Sequence, residues 1–308
     1  MEEFFIQLLK AATSGLLMGM VFALVALGLT VIFGVMDIVN FAHGEFLMLG
    51  MYTTLLTSPL LGVDPLLTLP VAGLVGAVLG VLSYYGLVRF LLRGPMIAQL
   101  FGTFGLMLFL RNLALLFMGS EPRIVHEGIL VGRSFIVGPG LVLESTKLAS
   151  AVFSVALFWG VWLLIDRTRI GKALTATSLD RQGARYMGIS TEKMNALAWA
   201  IGGASVSLAG GVLVNFWPVD PNIGLLFTMI AFATVALGGF GSIKGALVAG
   251  IIIGGIVQFA PVWDAVLRVL DWPAIKDLQI HSFKYTLVYL IYFLIMVFRP
   301  QGLFGWKQ

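Results

Sequence analysis

The chain has 308 residues, of which 59% are hydrophobic and 11% charged, and its formal net charge is +4. A soluble domain carries roughly 25% charged residues, so this composition excludes a water-soluble globular protein. There are no cysteines, which excludes disulfides, thiolate metal sites and a cysteine nucleophile. The small net charge gives no support for nucleic-acid binding, which needs basic residues gathered on one exposed face.

Nine stretches of at least 14 residues are free of Asp, Glu, Lys and Arg. They are residues 11–36, 46–63, 65–88, 94–110, 148–165, 194–219, 221–243, 245–263 and 285–298. A helix needs about 20 apolar residues to cross a hydrocarbon layer of ~30 Å, and in lipid the backbone must be satisfied internally. The sequence therefore predicts an all-α polytopic membrane protein, a bundle of eight or nine transmembrane helices.

The polar residues between the first two stretches, DIVNFAHGE, do not belong in lipid. Asn40, His43 and Glu45 cannot face hydrocarbon cheaply, since a charge at the bilayer centre costs about 2.5–3.5 kcal/mol. One interpretation is a broken or re-entrant helix near residues 37–46 that lines a cavity. The other is a tight cytoplasmic turn, with Asn40 capping the second helix and Glu45 in its first turn. Under both, these three residues are candidates for a substrate pathway or its gate.

The remaining polar residues give no sign of catalysis. The three histidines are far apart and lack carboxylate partners at ligand spacing, and no P-loop motif occurs. We therefore expect a protein that is not an enzyme and that holds no metal or cofactor. Arg111, in the fourth apolar segment, either snorkels or caps inside the bundle or meets a substrate carboxylate.

The longest basic segment runs from Asp166 to Lys193 and carries six basic and three acidic residues. Basic loops between apolar runs are typical of the cytoplasmic side, and alternation places the C-terminus on that side too, with eleven basic residues there against seven opposite. The N-terminus would lie outside if every stretch crosses, and inside if one re-enters. The segment is either a solvated loop that only connects two helices or the site at which a soluble partner protein binds.

Residues 119–147 alternate apolar and turn-forming side chains. This pattern predicts a small β-hairpin over one end of the bundle, with Gly138, Pro139 and Gly140 as its turn.

Three segments carry a family resemblance: NFAHGEFLMLGMY (40–52), GKALTATSLDRQGARYMGIS (171–190) and VALGGFGSIKGALVAGIIIG (235–254). Together with the ending FRPQGLFG (298–305), their order and spacing resemble LivH-type branched-chain amino acid ABC-transporter permeases over nearly the whole chain. The resemblance implies one permease domain, residues 1–308, in the bacterial inner membrane. It implies as partners two ATPase subunits, a companion M-type permease and a periplasmic binding protein. The implied substrate is a branched-chain or other hydrophobic amino acid, although urea and short-amide importers are similar.

Such importers couple to their ATPases through a short cytoplasmic helix with a motif like E-A-A-x-x-x-G. Here Gln182, Gly183, Ala184 and Gly188 resemble that motif, with Gln in place of Glu and Gly in place of the first Ala. The coupling residues implied by the resemblance are Asp180, Arg181, Gln182, Ala184, Arg185 and Gly188. Small residues would let this helix lie in a groove on an ATPase, and the two arginines could pair with acidic residues there.

A competing class is a secondary transporter or channel that works alone. In that case His43 and Glu45 would form a proton relay. Uptake would then follow the proton gradient without any ATPase.

Overall fold

A computed structural model gives the fold and describes residues 2–125, 128–130, 133–138, 141–270, 280–299 and 301–305. The helices are α1 (Glu2–Met36), α2 (His43–Leu61), α3 (Leu69–Ser83), α4 (Arg89–Leu91), α5 (Met96–Met118), α6 (Ser145–Arg167), α7 (Arg169–Leu179), α8 (Arg181–Tyr186), α9 (Thr191–Leu213), α10 (Ile223–Gly238), α11 (Ile243–Leu270) and α12 (Lys284–Phe298). A 3-10 helix at Pro65–Thr68 precedes α3, a π-helix at Tyr84–Val88 joins α3 to α4, and a second 3-10 helix at Ile280–Phe283 precedes α12.

Within the described residues, six helical runs are long and apolar enough to cross a membrane. They are Phe4–Met36, Pro65–Leu91, Met96–Met118, Ser145–Arg167, Thr191–Leu213 and Ile243–Trp263. The apolar helices α10 and α12 are shorter, with 16 and 15 residues, and α2 has 19 residues, including His43 and Glu45. The predicted class, a helical membrane protein, is confirmed.

Helix α1 lies at the centre of the bundle. Apolar side chains cover every face of α1, and a helix with no polar face is expected to be buried. Phe22 and the five residues after it are indeed fully buried. Its most extensive contact is with α11, which runs antiparallel to it. A Cβ added at Gly15 would lie 3.0 Å from the Cα of Gly255, and one at Gly34 would lie 3.3 Å from the Cα of Gly241. Small residues thus bring the two backbones together along their length.

The chain leaves helical structure at residues 37–42, within the region where the sequence predicts a break. Asp37 has a positive φ of 54°, which turns the chain back along α1. The next helix begins with His43, whose Nε2 lies 2.8 Å from the carbonyl oxygen of Val25. Val25 precedes the end of α1 at Met36 by eleven residues, or about 16 Å at 1.5 Å per residue. Helix α2 therefore begins deep inside the bundle.

The start of α10 lies beside the start of α2, since the N–H of Gly44 donates to Oγ1 of Thr228 at 2.9 Å. Helix α2 then runs parallel to α9: Phe46 meets Ser207, and a Cβ added at Gly211 would lie 2.7 Å from the hydroxyl of Thr54. Helix α10 runs the opposite way. Two short helices thus begin at one point in the interior and diverge towards opposite ends.

One end of the bundle, which we call the α8 end, collects α7, α8, the last turn of α1 and the tail at residues 301–305. The contacts that define it are Arg181 Nη2 to the Met36 carbonyl (3.0 Å), Arg185 Nε to Thr191 Oγ1 (3.0 Å) and the Leu303 N–H to the Leu237 carbonyl (2.8 Å). Because α1 ends here, its first residues lie at the opposite end of the bundle from the C-terminal tail.

The predicted hairpin is present as β1 (Ser134–Gly138) and β2 (Leu141–Glu144), paired antiparallel with Ser134 opposite Glu144. Its predicted turn residues Pro139 and Gly140 lie outside the described residues. The hairpin is a small departure from the predicted all-α class.

The contact of α1 with α11 gives a matched pair of substitutions. A Cβ at Gly254 would lie 2.5 Å from the carbonyl oxygen of Gly15 and would also collide with the backbone of Gly19, whereas one at Gly255 would meet nothing within 4 Å. We expect Gly254→Ala to destabilise the fold by about 1–3 kcal/mol through overpacking. Gly255→Ala should be neutral or stabilising by up to about 1 kcal/mol. Thermal unfolding of the two variants in detergent checks this, and equal melting temperatures would contradict it.

Candidate functional site

The three polar residues Asn40, His43 and Glu45 are fully buried. Arg111 of α5 bonds Glu45, and Thr228 of α10 bonds Gly44, where α2 and α10 begin. We call Asn40, His43, Glu45, Arg111 and Thr228 the helix junction. His43 bonds α1 and Glu45 bonds α5, so the junction joins several helices in one region.

Asn40 lies within the break and does not cap α2. Its Oδ1 accepts from the N–H of Ala42 at 3.0 Å, and no side chain of the break caps the helix. A residue of another helix takes that role. The hydroxyl of Thr228 accepts from the N–H of Gly44 at 2.9 Å and itself donates to the carbonyl oxygen of Gly224 at 2.9 Å. One N–H of the first turn of α2 is thus satisfied by α10, 184 residues later in the chain.

His43 ties α2 to α1. Its Nε2 must carry the hydrogen in the 2.8 Å contact with the Val25 carbonyl, because a carbonyl oxygen only accepts. The ring also fills the space beside Gly28, where an added Cβ would lie 3.0 Å from Cε1 of His43. Among the described contacts, His43 and Glu45 have separate partners and share no hydrogen bond.

Glu45 forms an ion pair inside the bundle. Its Oε1 accepts from Nη2 of Arg111 at 2.8 Å, and its side chain is 0% exposed against 17% for the arginine. The carboxylate also lies against Gly224 in the first turn of α10, where an added Cβ would be 2.7 Å from its Cδ. The positive end of the α10 dipole favours a carboxylate at this place. The charge of Glu45 therefore has both a counter-ion and a favourable backbone field.

Arg111 reaches the junction from a helix that packs loosely on the rest of the chain. Most of α5 is exposed, including Phe101, Phe109 and Leu116. Arg111 lies about 22 Å along α5 from Met96 and about 10 Å from its other end. The next residue, Asn112, is exposed and donates to the carbonyl oxygen of Leu108 at 2.7 Å. The amide of Asn112 thus lies on the outer surface of the chain, well inside the span, and the partly exposed Arg111 beside it reaches inward to Glu45.

The predicted coupling residues form a compact turn at the α8 end. Asp180 is the N-cap of α8, and its Oδ1 accepts from the N–H of Gln182 at 2.9 Å. A Cβ at residue 183 would lie 2.5 Å from the other carboxylate oxygen, which gives a reason for Gly183 where the family motif has Ala. Ala184 is buried, and Gly188 closes the turn with a φ of 81°.

The outward face of this turn differs from the predicted one. Arg181 and Arg185 donate to Met36 and Thr191 of their own chain. Both arginines and Gln182 remain exposed, and three apolar side chains project beside them: Leu179, Tyr186 and Met187 are 79%, 87% and 82% exposed. Sequence reasoning missed these three because single apolar residues spread over the end of α7, the short α8 and the turn after it show no periodicity.

A family model described as "Branched-chain amino acid transport system / permease component" matches residues 11–298. The chain belongs to this family. Its members include the high-affinity branched-chain amino acid transport system permease protein BraD of Pseudomonas aeruginosa, 27% identical over 96% of this chain and 95% of BraD. LivH of Escherichia coli K12, a permease protein of the same kind of system, is 31% identical over 82% of this chain and 86% of LivH.

A relative that matches less of the chain is named for a different import system. The autoinducer 2 import system permease protein LsrC of Salmonella paratyphi B is 30% identical over 67% of this chain and 58% of LsrC. No solved structure matches the chain significantly. The predicted family resemblance is confirmed, and the matched residues include both the helix junction and α8.

The ion pair gives a test by double substitution. Arg111→Met leaves the Glu45 carboxylate buried without its counter-ion, so we expect a loss of about 3–5 kcal/mol of stability. Combining it with Glu45→Gln removes the orphaned charge and should recover part of that loss. Asn112→Ala, on the adjacent residue, is the control and should change stability little. Thermal unfolding in detergent measures all of them, and additive losses in the double variant would contradict the pairing.

Proposed function

We propose that the chain is the permease subunit of an ATP-binding-cassette importer of branched-chain or other hydrophobic amino acids in the bacterial inner membrane. Family membership supports the transport role, and the names of BraD and LivH support the substrate class. Urea, short amides and a substrate like that of LsrC are the alternatives within the same type of importer.

The observation that carries this proposal is that three apolar side chains in and beside α8 are each at least 79% exposed: Leu179, Tyr186 and Met187, which we call the apolar tip. The tip projects from the most basic segment of the chain, where the bundle meets water. Exposed apolar clusters rimmed by polar residues mark protein–protein contacts. A soluble ATPase that seats this tip in a groove would bury it, with Asp180, Gln182 and Gly188 fixing the shape of the turn.

The orientation that we propose places the α8 end in the cytoplasm, because the basic segment 166–193 and the C-terminal tail lie there. Helix α1 begins at the opposite end. If α2 and α10 are each counted together with the non-helical segment before it, the described helices would make nine crossings. The N-terminus would then be periplasmic.

We place the substrate pathway on the outer face of α5. Charged residues deep in a span face the bundle interior or water, not lipid. Arg111 and Asn112 would therefore face the companion permease across a polar pathway. Arg111, which is 17% exposed, can bind the carboxylate of an amino acid, while the fully buried Glu45 holds the guanidinium in place. Asn40 and His43 hold the break that positions Glu45.

The same contacts suggest how an ATPase would act on the pathway. Arg181 of α8 bonds the carbonyl of Met36, the last residue of α1. The break that leads to Glu45 begins at the next residue. A movement of α8 would thus reach the junction through one hydrogen bond and the six residues of the break, as alternating access requires.

A transporter driven by a gradient is the other class. The proton relay that it needs is not favoured, because His43 and Glu45 bond to Val25 and Arg111 respectively.

The first test replaces the tip. In the transporter co-expressed with its ATPases and companion permease, Tyr186→Ala with Met187→Ala should weaken retention of the ATPases by tenfold or more, since each truncated anchor costs roughly 1–4 kcal/mol. ATP-dependent leucine uptake in proteoliposomes should fall with it.

Leu60→Ala with Leu61→Ala is the matched control, because these residues are 81% and 58% exposed at the other end of the bundle. ATPase retention equal to wild type in the tip variant, together with uptake that follows a proton gradient, would overturn the proposal.

The second test uses the absence of native cysteines. A single cysteine at Asn112 should react with a water-soluble maleimide in the assembled transporter, because a thiolate forms only where water reaches. A cysteine at Val155, 42% exposed on α6, should react several times more slowly. Equal rates would place α5 against lipid and exclude it from the pathway.

A further inference from the structure

A basic cavity lies at the α8 end, apart from the helix junction. Its volume is about 280 Å³, and its wall contains Arg89, Arg93, Arg181, Arg185 and Glu192. Four arginines against one glutamate leave an excess of three positive charges. Such a cavity suits an anion.

The arginines are positioned without being neutralised. Arg181 and Arg185 each give a hydrogen bond to a neutral acceptor, the Met36 carbonyl and the Thr191 hydroxyl. Glu192 pairs with Arg89 at 3.4 Å, a distance and exposure at which an ion pair contributes little. Within the part of the chain that the structure describes, no carboxylate pairs with the other three arginines. Their charges are available to a ligand.

The cavity adjoins an apolar outer surface. The cavity lies at the π-helix between α3 and α4. Tyr84 is buried in the cavity wall, while Tyr85 and Phe90 are exposed on the outer surface. The Arg89 guanidinium lies 4.8 Å from the centre of the Phe90 ring. Leu82, a little earlier on the same helix, is 61% exposed. An anion that also carries apolar chains would match the charge and this surface together. Single π-helical turns inside α-helices occur frequently at functional sites.

The excess of arginines favours a phosphate ester over other anions. Its oxygens lie together in one group, so two or more guanidinium groups can donate to them through charge-assisted hydrogen bonds. An ester with a net negative charge also fits the three arginines without a carboxylate partner among the described residues better than a zwitterionic one.

We infer that this cavity binds the phosphate of an anionic phospholipid headgroup, of the phosphatidylglycerol kind, with the acyl chains lying on the surface at Leu82 and Phe90. Basic pockets between membrane helices on the cytoplasmic side are suited to such headgroups. The headgroup would connect the end of α4 with α8 and the start of α9, and so hold α8 against the bundle. That effect on coupling rests on the proposed function, whereas the lipid site itself does not.

Native mass spectrometry of the complete transporter in mild detergent tests this, after addition of phosphatidylglycerol, phosphatidylethanolamine or inorganic phosphate. We expect one phosphatidylglycerol retained for each copy of this chain. Arg93→Gln should weaken its retention about fivefold, the effect of one basic residue near a headgroup. Arg93 is exposed at a helix end, so the fold should survive the change. Arg169→Gln, an exposed arginine of α7 outside the cavity wall, is the control and should behave as wild type.

Equal retention by Arg93→Gln and wild type, or equal retention of the two lipids, would overturn the inference. Displacement of the lipid by inorganic phosphate would show a site for free phosphate instead. Lipid binding only after the ATPases are stripped away would show that an acidic residue of the ATPase fills the cavity. If no ATPase co-purifies, the same comparison on the isolated chain still decides the lipid site, while the proposed function fails separately.

Discussion

The fold depends on keeping the charge of Glu45 in the dry interior. An unpaired carboxylate there would cost several kcal/mol, so its neighbours must supply a counter-ion and a favourable backbone field. Arg111 supplies the first and the start of α10 the second. Because both groups must contact Glu45, they set the positions of α5 and α10 relative to α2. The position of three helices therefore follows from one buried charge.

Beginning two helices inside the bundle creates a second demand, since the first N–H groups of a helix have no partner within it. The Thr228 hydroxyl meets part of that demand for α2 by bonding Gly44, and it does so because the two helices approach closely at Gly44 and Gly224. Side chains at either glycine would separate the helices and break the hydrogen bond. Close packing and polar satisfaction thus depend on each other at the junction.

The break at residues 37–42 could be predicted because Asn40, His43 and Glu45 stand between two apolar runs. Exposing such polar side chains to lipid costs free energy, so the chain there must either leave the membrane or turn into the protein interior. The hairpin followed from its turn residues in the same way. The partners Arg111 and Thr228 could not be predicted, since they lie 66 and 184 residues from Glu45 and Gly44, and such pairings leave no local pattern. The inward direction of Ala184 was equally hidden, because a six-residue helix shows no periodicity.

Arg181 links the two polar regions of the bundle. Its side chain belongs to the wall of the basic cavity and also donates to Met36, the residue that ends α1 just before the break. An anion bound in the cavity would draw on the same guanidinium that holds the end of α1. In the proposed importer, α8 therefore transmits force to the junction through Arg181, and a lipid phosphate in the cavity would bind the same side chain. The strength of coupling would then depend on lipid charge as well as on ATP, without any direct contact between lipid and substrate.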